Sequence, residues 1–162
     1  MIKGMTEYFT AEKQESLLFM LVGAFAIAVA IWLWLNGHRL KSIAYPLIAI
    51  ALIQLVVGSS VYFRTDNQLA QLRDKLVTAP AATTQAELTR MNVVMQGFSL
   101  YKTIEIALLI VGAGLLALMQ RSDFAAGIGA GLVVQSAFML CLDMFAEARG
   151  QDYVKALGAA AN

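Results

Sequence analysis

Four apolar runs leave this chain few ways to fold: Leu17–Leu35, Ile43–Phe63, Ile104–Met119 and Phe124–Phe145. A bilayer core about 30 Å thick is crossed by roughly 20 apolar residues in a helix. The first, second and fourth runs meet that length outright. The third meets it only when extended back through Phe98–Tyr101, across Lys102 and Glu105. The predicted fold is therefore all-α. It is a polytopic membrane protein with four transmembrane helices in an antiparallel bundle, forming one domain over residues 1–162. The spans are placed at about 17–35, 43–63, 98–119 and 124–145.

Composition agrees. The chain is 59% hydrophobic and only 14% charged, against about 45–50% and about 25% in soluble domains. A formal net charge of +1 gives no reason to expect a nucleic-acid partner. The single cysteine, Cys141, excludes an intrachain disulfide and a multi-cysteine metal site. The acidic N-terminal stretch MIKGMTEYFTAEKQES does not read as a signal peptide, so Leu17–Leu35 is predicted to be a retained membrane helix.

One long polar stretch, about residues 64–97, interrupts the apolar pattern. Between Ser42 and Thr78 there is no proline after Pro46, which lies in the first turn where a missing N–H is tolerated. Thr84-x-x-Glu87 matches a capping box and predicts the start of helix 3, which then runs to about Gln120. Helices 2 and 3 of roughly 36 residues would each be about 54 Å long. They overshoot the bilayer, and the excess is predicted to project as a helical hairpin. Leu69, Leu72 and Leu76 on one helix, and Leu88, Met91, Met95 and Phe98 on the other, recur at 3–4 spacing and supply its apolar seams.

The other helix ends have local signals. Thr10 is the expected cap of helix 1, Asn36–Gly37 its stop, Ser42 the cap of helix 2, Ser122 or Asp123 the cap of helix 4 and Gly150 its stop. Residues Gln151–Leu157 would add a short amphipathic turn. Gly127-x-x-x-Gly131 permits close approach of another helix, expected inside the bundle rather than between copies.

Four spans place both termini and the hairpin on one side. Raw counts of Lys and Arg favour a cytoplasmic hairpin, whereas their density in the short loops around Arg39, Lys41 and Arg121 favours a hairpin outside a bacterial inner membrane, the side expected here. Trp32 and Trp34 would anchor one interface, and Tyr62, Phe63, Phe98 and Tyr101 the other.

The chemistry-bearing positions lie near that second interface. Stepping by three and four along helix 3 puts Lys102 and Glu105 on the face that packs inward. On helix 4, Gln135, Met139, Asp143 and Glu147 recur every four residues. With Arg64 closing helix 2, these predict a polar cluster of Arg64, Lys102, Glu105, Asp143 and Glu147 just inside the membrane. Gln54 adds a polar group within helix 2. Intramembrane charges mark functional sites by default, so the cluster could be ion- or proton-responsive, or the polar end of a ligand cavity. The preferred reading is an ion-pair network that fixes helix register.

Other chemistry is poorly supported. His38 is the only histidine and is expected to be solvated in a loop, which excludes bis-histidine haem ligation within the chain. Met91, Met95, Met139, Cys141 and Met144 are soft ligands in type, but filling gaps between helices is the expected role of methionine. No catalytic residue, cofactor or metal is predicted, and an enzyme is disfavoured. The leading expectation is a non-enzymatic accessory or scaffolding subunit acting through its hairpin. Its partners would be the lipid bilayer and another membrane protein or itself. A homo-oligomeric ion, proton or small-solute channel or carrier using Glu105 and Asp143 is the alternative. A lipid- or quinone-binding enzyme subunit comes third.

Overall fold

The computed structural model describes residues 2–36 and 41–161, and every element among them is helical. Helix α1 covers Ile2–Leu35, α2 Ala44–Thr78, α3 Pro80–Leu118 and α4 Asp123–Ala161, with a single 3-10 turn at Lys41–Ile43 before α2. All four helices are long and apolar enough to cross a membrane. Gly37, His38 and Arg39, expected in the first short loop, lie outside the described residues.

The lengths follow from what the sequence lacks. No proline interrupts a helix interior. Pro46 falls in the first turn of α2 and Pro80 at the first position of α3, where its fixed φ suits the helix. The residue before a proline is pushed away from the helical region. Ala79 obeys, with φ −146° and ψ 72°, and is the single non-helical residue between α2 and α3. The exposed carbonyl of Lys75 accepts from the Ala79 N–H at 2.9 Å and from the Thr83 hydroxyl at 3.1 Å. The Thr78 hydroxyl donates to the same carbonyl at 3.2 Å, so three donors meet at the end of α2.

Several expected boundaries move. Thr84 does not cap α3: its hydroxyl donates back to the Pro80 carbonyl at 2.9 Å, one turn inside the helix. Glu87 pairs with Arg90 instead of completing a capping box. Thr10 does not start α1, which begins at Ile2. Met5, Tyr8 and Phe9 give that first stretch a buried face, and burial of a stripe stabilises a helix more than a cap does. Ser42 is not the cap of α2. It is buried in the 3-10 turn and donates to the Asp123 carbonyl at 3.2 Å. Gly150 is not the stop of α4, which continues to Ala161. A Cβ on Gly150 would lie 2.9 Å from Met95 Sδ, so the glycine makes room for a neighbour. Ser122 does cap α4, receiving the Ala125 N–H at 3.4 Å.

Two cores result. At the apolar end, Ala26, Ala30 and Leu33 of α1 pack on Ala44, Leu47 and Ala51 of α2. At the polar end, Met5, Tyr8 and Phe9 of α1 meet Leu76 of α2, Met91 of α3, and Tyr153 and Leu157 of α4. The leucine seams of α2 and α3 do border this second core, but α1 and α4 complete it. The polar end is thus built from four helices, where a two-helix seam was expected.

Contacts between α1 and α2 run from Thr6–Arg73, through Lys13–Asp66, to Trp34–Tyr45. Helices α3 and α4 are in contact at Lys102–Glu147, and again where Gly112 and Gly129 back onto each other. Helix α4 also reaches α2, with Gly131 against Pro46 and Gln135 against Gln54, and α1, with Tyr153 against Tyr8. Helix α3 is the least covered: 11% of its most apolar stretch is buried, against 28–33% for the others.

Candidate functional site

The α3–α4 seam assembles most of the predicted cluster. Lys102 and Glu147 form an ion pair. Glu105 stands one turn further into the apolar half of α3, and Asp143 one turn further into that of α4. Their carboxyls are direct neighbours. Glu105 is only 3% exposed, and neither of its oxygens has a hydrogen-bond partner among the described residues. Asp143 is half-buried. Arg64 does not join them. It is exposed on α2, and its charge acts on Glu12 of α1. The separation has a plain cause, because α2 packs mainly against α1 at this level and meets α3 beside their shared turn.

A polar contact lies deeper in the apolar half. Gln135 Nε2 donates to Gln54 Oε1 at 2.5 Å between α4 and α2, and both side chains are buried. Gln54 Nε2 and the hydroxyl of the adjacent Ser136 are also buried, without a partner among the described residues. The stripe Gln135, Met139, Asp143, Glu147 thus carries polar groups from the edge of the apolar half to its middle.

A second network, which sequence reasoning missed, occupies the polar end. The Arg90 guanidinium holds the Glu87 carboxylate through two bonds of 2.8 and 2.7 Å. The Tyr153 hydroxyl donates to the same carboxylate at 3.3 Å. The Tyr8 and Tyr153 rings stack at 4.4 Å, and Arg90 lies over Phe9 at 5.7 Å from the ring centre. Arg149 pairs with Glu15. At the boundary, Lys13 bonds Asp66 at 2.5 Å and lies over the Tyr62 ring.

Burial sets the electrostatics here. It raises the Glu12 pKa above the usual carboxylate range despite the nearby Arg64 and Arg90. It raises both tyrosines too, helped by Glu12 at Tyr8 and by Glu87 at Tyr153. Burial opposes the Arg90 charge, but the Glu87 hydrogen bond and charge outweigh it, so Arg90 holds its proton more firmly. Arg149 shifts down through desolvation. The signals for this network were present as Glu87-x-x-Arg90 and as Arg149 and Tyr153 one turn apart. They meant nothing until α4 was known to pass Gly150.

Among the described residues, no group of three His, Cys, Asp or Glu side chains is placed to hold a metal ion. Met91 and Met95 fill the space beside Gly150. No family model, no curated protein and no solved structure matches the chain.

Proposed function

We propose that this chain is an integral membrane protein of a bacterial inner membrane, serving as a non-enzymatic accessory or scaffolding subunit. Its polar end is the docking platform. Consecutive helices alternate in direction across the bilayer. The ends of α2 and α3 form a helical hairpin, and both termini lie beside it on the outer side. The aromatic rings support two interface levels. Trp32, Trp34, Tyr45 and Phe124 are exposed at one level, and Phe63 and Tyr101 at another. On α2 the two levels, Tyr45 and Phe63, are separated by about 27 Å at the helical rise, close to the bilayer's apolar thickness of about 30 Å.

One observation carries the reading. The polar ends of all four helices close around a single core of Met5, Tyr8, Phe9, Leu76, Met91, Tyr153 and Leu157. Helices α2 and α3 run without a break from the apolar half into this body. A loop would sample many conformations and lose entropy on binding, whereas a packed helical body does not. The construction therefore suits presentation of a fixed surface at a fixed height above lipid. Asn67, Asp74, Gln85 and Asn92 are exposed on that surface.

A photo-reactive residue at each of these four positions, in cells, tests the reading. It predicts an adduct of one defined mass with a different membrane protein, lost on Asp74→Lys or Gln85→Lys. Adducts only with lipid, or only with a second copy of the chain, would contradict it.

A further inference from the structure

The carboxyl pair between α3 and α4 is not needed for a docking platform. Lys102 and Glu147 are ion-paired. Glu105 follows Lys102 by three residues and Asp143 precedes Glu147 by four, so the next turn inward on each helix brings carboxyl against carboxyl. Asp143 of α4 faces Glu105, and Glu147 of α4 and Lys102 of α3 face Asp143; Arg64 of α2 is exposed and acts on Glu12. Lys102 is the one cation of that set, and its ammonium is already engaged by Glu147.

Glu105 is 3% exposed, with both oxygens free of hydrogen bonds among the described residues. A buried charge in that state is too costly to persist, and two adjacent carboxyls cannot both ionise without a counter-charge. We propose that Glu105 and Asp143 form a proton-binding site, which takes up one proton and shares it between the two carboxyls. The proton adds to a Glu105 oxygen, and that O–H donates to the Asp143 carboxylate. Asp143 is the accepting member, since it is half-buried where Glu105 is buried.

Access is from the polar end, past Lys102 and Glu147. Inward, the polar stripe ends at Gln135, Gln54 and Ser136. Beyond them α4 closes against α2, with Gly131 at Pro46 and Gly127 at Ser42. Along the α3–α4 seam itself, Gly112 and Gly129 back onto each other further inward. This inference goes beyond the scaffold reading and stands or falls separately from it.

Dicyclohexylcarbodiimide adds to protonated carboxyls in apolar surroundings and leaves exposed carboxylates unmodified. The full-length protein in lipid vesicles is treated with it across a pH series, and peptides are analysed by mass spectrometry. The expected result is an adduct on Glu105 at neutral pH that declines as pH rises. Asp143→Asn removes the neighbouring negative charge and should lower the midpoint of labelling by about one pH unit or more. Glu105→Gln should remove the adduct while the helical circular dichroism stays unchanged. Absence of a Glu105 adduct in wild-type protein at every pH would overturn the proposal. So would loss of the adduct on adding sodium ions at constant pH, which would assign the pair to a metal cation.

Discussion

Glu87 is the most heavily engaged side chain of the polar end, taking two bonds from Arg90 and one from Tyr153 while only 6% exposed. Removing one partner of a buried ion pair leaves an uncompensated charge, at a cost of about 3–5 kcal/mol. Arg90→Ala should therefore destabilise the protein by about 3 kcal/mol in a denaturant titration in detergent. Joint replacement of Glu87 by Leu and Arg90 by Met should cost far less. Glu12 behaves oppositely. Its folded-state pKa is raised by burial, so the folded protein binds the proton more tightly than the unfolded chain. Glu12 then favours folding fully below the ordinary carboxylate range, and that advantage is lost as pH rises through its raised value. Glu12→Gln should raise the Tm at neutral pH, with the gain vanishing in acid. A gain that persisted unchanged in acid would mean that burial of the charge is not the cause.

At the scale of the helix, glycine decides how closely α3 and α4 approach. A Cβ on Gly129 would sit 2.7 Å from the Gly112 carbonyl oxygen, and one on Gly112 would sit 2.9 Å from that of Gly129. Both obstacles are backbone, so neither can step aside. Gly129→Val should cost about 2 kcal/mol or more and lower the folded yield. Gly114 meets nothing within 4 Å, and Gly114→Ala should be neutral or gain up to about 1 kcal/mol of helix propensity. Equal effects from the two substitutions, on the same denaturant titration, would count against this packing. Helix number and type were legible because the apolar runs and the proline positions determine them. The ends were not. Thr10, Thr84 and Gly150 each carry a local boundary signal, yet each sits inside a helix whose buried face continues past it. Gly127 and Gly131, legible as close-packing residues, do pack inside the bundle, against Ser42 and Pro46.

At the scale of the whole molecule, the helices run continuously from an apolar half into a packed polar end. Lys102, Glu105, Asp143 and Glu147 were placed together by helical spacing alone, because one seam between two regular helices needs only register. Arg64 was misplaced because spacing cannot say which helix an exposed side chain will face. The contact of Tyr8 with Tyr153 was illegible for the same reason, since it joins the first helix to the last. On the proposed reading, the polar end docks a different membrane protein. The most direct measurement is the mass and composition of the complex gently extracted from its native membrane. The expected result is the 17.5 kDa chain in fixed ratio with a second, different membrane protein, the ratio collapsing when Asp74 and Gln85 are changed to Lys. A complex containing only copies of this chain would contradict it.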